Sequence, residues 1–299
     1  MGAVIVVIFE EFLEHPPGVS LAEDDHVMKA FALGGSDHAF AVTVPPRRPG
    51  RYYYFFHAQA DRSATAMVTV PMGRVAGDLT LGGLDYSSSA RGFGDPMLQF
   101  TYNILGPKAI RNIPDMLRYE PGFSVDLVGS LAFPLGEYDS DSPINIGQNR
   151  WCGRIGAPVV WQLGAWVPGR RTTLELLPAV WFFTDNDDFL SETLATDPLL
   201  QLEAPLTRDF VEAIWGSLDV ISMSGGKAAI DGVEGESLSN LGVGATLGYT
   251  INDNLQLTVA YVSSIDDGGS EDLNMDQFRV TLVGGWHPLV EGMKRLGHD

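Results

Sequence analysis

Along most of this chain, apolar residues recur at every second position over stretches of about ten residues, a pattern that leaves few folds open. Phe123, Val125, Leu127, Leu131 and Phe133 alternate with Ser124, Asp126, Ser130 and Ala132. Trp151, Ile155, Val159, Trp161 and Leu163 alternate with Arg150, Cys152, Arg154 and Gln162. Residues 174–182, 241–250, 255–261 and 278–286 repeat the pattern. A period of two marks a strand with two unlike faces, and ten residues exceed the five or six of most soluble strands. The 34 Gly, 15 Phe, 9 Tyr and 6 Trp suit such strands and their turns. No apolar run approaches the ~18–20 residues of a membrane-spanning helix. The single cysteine, Cys152, rules out an intramolecular disulfide framework and any CxxC site. With 38 acidic and 19 basic residues, a net charge of −19, the chain is a poor partner for nucleic acid.

The connections add direction. Counting back from the C-terminus, 266–276 is long, 251–254 short, 222–238 long, 205–210 short, 184–198 long, 164–171 short and 135–148 long. An up-and-down transmembrane barrel alternates in this way, with long loops at one end and tight turns at the other. A Greek-key sandwich has no reason to. The gap 106–121 breaks the rule and is expected to hold a small helix on the short-turn rim. The long loops carry a net −15 of the −19, so one rim is acidic.

Trp151 and Trp161, ten residues apart on one face, span roughly 33 Å of strand, or about 25 Å at a barrel tilt, which matches the two interfaces of an apolar belt. The strand charges Asp126, Arg154, Glu175, Glu203, Asp219 and Arg279 all fall opposite the large aliphatics. In a membrane barrel they line the lumen, where Asp126, Arg154 and Glu175 are expected to form an ion-pair ladder. A net lumen charge of −2 favours cations or neutral solutes over anions. Gly242, Gly244 and Gly248 are expected to leave space for a path. Alternation alone does not say which face is inside, so a soluble ligand-binding barrel stands as an alternative.

Catalytic signatures are missing: there is no G-x-S-x-G, H-E-x-x-H or P-loop motif, and no enzyme activity, cofactor or metal site is expected. The acidic runs Asp185–Asp188 and Asp266–Asp272 lack the spacing of a calcium loop. Solvated loops, or divalent cations bridging lipid phosphates, are the expectation there. Residues 1–50 read as an irregular N-terminal segment, a mis-called or degenerate start with no intact signal peptide. Residues 51–287 read as the barrel and 288–299 as a tail.

Several motifs resemble the outer-membrane family named for the meta-pathway of phenol degradation. They are Gly92-Phe93-Gly94-Asp95-Pro96, Asn103-Ile104-Leu105-Gly106, Pro134-Leu135-Gly136-Glu137-Tyr138-Asp139, Asn145-Ile146-Gly147-Gln148-Asn149-Arg150-Trp151 and Phe182-Phe183-Thr184-Asp185-Asn186. The resemblance covers about residues 52–286. It implies an all-β, up-and-down antiparallel transmembrane barrel of about twelve strands in the outer membrane, passing small, aromatic or phenolic molecules. A non-conducting structural barrel is the alternative within that class. Gly94-Asp95-Pro96 and Pro134-Leu135-Gly136 are expected to set turns. Asn145, Asn149 and Arg150, beside Trp151, are expected to knit a loop back to its strand. The partners implied are membrane lipid and a small solute.

Overall fold

The computed structural model describes residues 8–12, 56–57, 62–69, 72–81, 84–107, 120–142, 144–235, 237–252, 255–266 and 276–284. They form β1 (Ile8–Phe12), β2 (Phe56–His57), β3 (Ser63–Thr69), β4 (Met72–Leu81), β5 (Leu84–Phe93), β6 (Met97–Leu105), β7 (Phe123–Ala132), β8 (Cys152–Gly156), β9 (Val159–Gln162) and β10 (Thr172–Phe183). Then come β11 (Asn186–Phe189), β12 (Glu192–Thr196), β13 (Leu199–Asp209), β14 (Ile214–Gly225), β15 (Ala228–Ile230), β16 (Val233–Glu234), β17 (Leu238–Asn252), β18 (Leu255–Asp266) and β19 (Asp276–Gly284). No helix occurs among the described residues. The stretch 108–119, where a rim helix is expected, lies outside them.

One large antiparallel sheet runs β2-β3-β6-β7-β8-β10-β13-β14-β17-β18-β19-β1, with β9 continuing β8 between β7 and β10. Neighbours in the sheet follow chain order, as an up-and-down barrel requires. Ile8–Phe12, within the segment read as irregular, pairs with Arg279–Val283 of the last strand.

Burial follows the period of two. Leu176, Phe182, Leu200, Leu202, Leu218 and Leu247 point out of the sheet, and Leu218 is 67% exposed. Ser124, Asp126, Ser130, Arg154, Thr173, Glu175 and Gln201 point in and are buried. The apolar face is therefore the outer one. A soluble barrel has the reverse arrangement, with its greasy face enclosed. The outer belt suits lipid, where backbone groups must be satisfied within the strands.

Prolines interrupt this ladder mid-wall. The Pro158 carbonyl accepts Asp126 N at 2.8 Å and the Pro178 carbonyl accepts Ala157 N at 3.0 Å. Neither ring has an N–H to return the bond. Beside them the outer face is dented by a groove of about 390 Å³, lined by Leu127, Ile155, Ala157, Pro178, Leu200 and Ser222 among others. Pro205 also lies within a strand, opposite Asp219. The turn expected at 205–210 is therefore shifted, and β13 runs on to Asp209.

The expected long connections are not structureless. They carry β11, β12, β15 and β16, which form a separate four-stranded sheet at the end of the barrel where β7, β10 and β14 terminate. The β4–β5 hairpin joins β3 to β6 on the same side. Both tight turns of the small sheet have left-handed central residues. Asp231-Gly232 (φ 47° and 80°) is the pair such turns favour, whereas Leu190-Ser191 (φ 52° and 67°) is not. Replacing Leu190-Ser191 with Asn-Gly should stabilise the β11–β12 hairpin by about 1–2 kcal/mol per relieved residue. Slower amide exchange in β11 and β12 is the readout, and unchanged exchange would show the strain is offset elsewhere.

Candidate functional site: the lumen and its cap

The residues of four separate motifs meet at the base of the cap. The Asp95 carboxylate, buried, accepts Gly136 N at 2.8 Å through Oδ1 and Gln148 N at 2.7 Å through Oδ2. Glu137 N donates to the Phe93 carbonyl and Gly147 N to the Glu137 carbonyl. A Cβ on Gly136 would sit 2.7 Å from the Gly94 backbone, and one on Gly147 would sit 2.8 Å from that of Gly136. Both glycines allow close backbone approach, a demand on Gly136 beyond the turn expected there.

Asn186, 1% exposed, is the centre of the cap. Its Nδ2 donates to Tyr138 Oη at 2.8 Å and to the Gln148 carbonyl at 3.2 Å. Its Oδ1 accepts Asn149 Nδ2 at 2.9 Å and Asp188 N at 3.1 Å. Tyr138 Oη in turn donates to the Asp188 carbonyl at 2.9 Å. Burial raises the Tyr138 hydroxyl above its ordinary pKa, against the opposing hydrogen bond from Asn186, so it stays a neutral donor.

Arg150 ties the cap to the wall. Its Nη1 donates to Thr196 Oγ1 at 2.6 Å, its Nε to Gln148 Oε1 at 3.3 Å, and its guanidinium lies 4.8 Å from the centre of the Phe183 ring. Burial pulls its pKa down, countered chiefly by the nearby Cys152. Asn145 folds its own loop, accepting Asp139 N and donating to the Asp139 and Ser142 carbonyls. Trp151 is outward and packs edge-on against Phe133 at 5.2 Å. Cys152 is buried and donates to Gln148 Oε1.

Below the cap, an apolar cluster of Met97, Trp181, Leu199 and Met223 projects inward, with Phe183, Ile221 and Leu238 packed against it. Its members come from β6, β10, β13, β14 and β17, with Ala132 of β7 among them, so it forms an apolar band along neighbouring strands on the inner face under the cap. A polar chain adjoins it. Ser130 Oγ and Arg154 Nη2 both donate to Gln99 Oε1, at 3.3 and 3.0 Å. Trp181 Nε1 donates to Gln201 Oε1 at 2.6 Å, and Gln201 Nε2 donates to Glu203.

The expected lumen charges are thus on the inner face where described, but they divide. Asp126 is buried and accepts Asn103 Nδ2 at 2.7 Å. Arg154 makes its hydrogen bond to Gln99, and Glu203 is the carboxylate whose charge acts on it. The expected ladder fails on register. Arg154 lies opposite Ser130, and Asp126 is four residues further along, roughly 13 Å away. Glu175 is buried opposite Val160. Glu203 and Asp219 are only half-buried, on adjacent strands, and Asp219 Oδ2 accepts Thr246 Oγ1 at 2.8 Å. The Arg279 backbone pairs with Ala260, and its side chain lies outside the described residues. Gly248 opens no path, because the Trp215 indole fills the space its missing side chain leaves, and Val262 crowds Gly244. Among the described residues no group of His, Cys, Asp and Glu is arranged to hold a metal.

An apolar outer belt, a polar inner face and loops gathered over one end define a transmembrane β-barrel of the outer-membrane type. The chain belongs to the family described by the words "MetA-pathway of phenol degradation", whose model matches residues 50–271. Among solved structures it is similar to the COG4313 outer membrane channel from Pseudomonas putida F1. The TM-score is 0.63 at 17% identity, over 79% of this chain and 82% of that one. That likeness carries the fold. No curated protein sequence matches the chain.

Proposed function

We propose that the protein is an outer-membrane channel through which small solutes diffuse, with cations and neutral molecules preferred over anions. Membership of the family and likeness to an outer membrane channel support the class. The observation that carries the preference is the pair Glu203 and Asp219, half-buried carboxylates on the inner face of β13 and β14. Carboxylates lining a pore select cations. Asp126 and Glu175, being buried, serve the wall more than the solute.

The full chain, refolded into detergent and added to a planar bilayer under a salt gradient, should give cation-preferring steps. Glu203→Lys combined with Asp219→Lys should move the reversal potential toward the anion side. An unmoved potential would remove these carboxylates from the path. The cap and the apolar cluster beneath it favour a second reading, a barrel closed at rest. A heat-modifiable, β-rich protein that passes no current under any voltage would support a structural barrel instead.

A further inference from the structure

Arg150 and Arg154 are buried, but Arg208 is exposed on the outward face of β13. It continues the outward series of Leu200, Leu202 and Leu206 toward the short-turn rim. Its depth can be read from the strand register. Trp161, Leu174 and Leu206 stand level on three neighbouring strands, and Trp161 is outward and 54% exposed. An outward indole marks the boundary between hydrocarbon and headgroups. Arg208 is one outward step further, roughly 7 Å along the strand, so its guanidinium reaches the depth of the lipid phosphates.

The site around it is framed by both neighbouring strands. Thr172, paired with Arg208, accepts its Nη1 at 2.5 Å. On the other side the exposed Phe210 ring lies over Gly216, the partner of Arg208 in β14. Asp209 does not neutralise the charge. It is buried on the opposite face, where its Oδ2 accepts Gly169 N at 3.3 Å and lies 4.0 Å from Arg171. A second exposed cation, Arg170, stands in the adjoining turn. The two turns pack together, since a Cβ on Gly169 would lie 3.2 Å from Glu212 N. With Arg171 and Asp209 matched, Arg170 and Arg208 outweigh the exposed Glu212 by one positive charge.

We propose that Arg208, with Arg170, binds the headgroup of an anionic phospholipid in the leaflet on the short-turn side. The phosphate oxygens take the guanidinium as a bidentate acceptor. The acyl chains run up the wall over Leu206 toward Trp161, and Phe210 covers the glycerol end. The net positive charge favours a headgroup such as phosphatidylglycerol over a zwitterionic one. The proposal needs a membrane barrel and is independent of whether that barrel conducts.

The test uses the full chain in phosphatidylcholine vesicles, with phosphatidylglycerol or phosphatidylcholine brominated in the acyl chains as quencher. The Trp161 signal is the difference between each protein and its Trp161→Phe counterpart. Trp151, on the acidic long-loop rim, serves in the same way as an internal control. Brominated phosphatidylglycerol should quench Trp161 with about fivefold preference over brominated phosphatidylcholine, the effect of one cation near the membrane surface. Trp151 should show no such preference. Arg208→Gln should bring Trp161 to near parity, whereas Arg208→Lys should keep part of the preference. Inorganic phosphate at millimolar concentration should leave it unchanged. If Arg208→Gln does not fold, the wild-type comparison of Trp161 with Trp151 decides. Equal quenching of Trp161 by the two lipids, the same preference at Trp151, or a preference that survives Arg208→Gln would each overturn the proposal. Loss of the preference in inorganic phosphate would make this a site for the free ion and remove the lipid.

Discussion

Trp181→Ala should open the barrel, raising single-channel conductance several-fold and shortening any closed dwell. The indole is the largest member of the apolar band on the inner face under the cap, and its Nε1 bond to Gln201 fixes its rotamer. Apolar constrictions resist ions because water leaves them, so replacing the largest side chain with a methyl group both widens and wets the path. The same change removes a buried aromatic, which ordinarily costs about 3–5 kcal/mol. Here Met97 and Met223 can fill part of the space, and the backbone ladder on both sides of β10 is untouched. Barrel integrity should therefore persist, as judged by heat-modifiable migration. Wild-type conductance in a folded Trp181→Ala barrel would place the constriction elsewhere, in the cap.

Asn186→Ala should release the cap and leave the barrel intact. One carboxamide holds Tyr138, Gln148, Asn149 and Asp188 together at 2.8 to 3.2 Å. Its loss takes this partner from four polar groups, Tyr138 and Gln148 half-buried and Asn149 and Asp188 exposed, each worth about 1–3 kcal/mol if it finds no water. Water will reach some of them, so a net loss of about 3 kcal/mol is expected, or roughly a hundredfold faster amide exchange in β11 and β12. The Leu190 N–H, which donates to the Ser140 carbonyl at 2.8 Å, is a sensitive reporter because that bond joins two loops. Exchange in β13 and β14 should not change. If it rises in step, cap and barrel unfold as one unit.

The strands and the direction of the chain were legible because a side-chain period of two survives everything that happens at their ends. Even the Ala157-Pro158 break keeps the alternation, with Gly156 and Val160 both inward. Which face met lipid was not legible from alternation, which is symmetric between inside and outside, and had to be read from strand length, alternating connections and the Trp151–Trp161 spacing. The cap was hidden for a different reason. Asn186 sits in a run of acidic residues that reads as solvated, and only its bonds to a loop some forty residues earlier make it buried. The lumen charges whose side chains are described lie on the inner face, but the pattern does not name their partners. Asp126 and Glu203 both lie four residues along from the level of Arg154, so the strand pattern alone does not choose its partner. Gly248 misled because a missing side chain is a vacancy only until a neighbour's indole takes it.

The pairing of Ile8–Phe12 with Arg279–Val283 joins positions separated by nearly the whole polypeptide. The seam is therefore the last contact that synthesis makes available, and the one with the steepest loop-closure cost. A product cut short before β19 would carry β1 and β18 as two bare hydrogen-bonding margins. Such a product would be marked for capture by proteases or by its own kind before it reached lipid. The final strand in effect proofreads the length of the message.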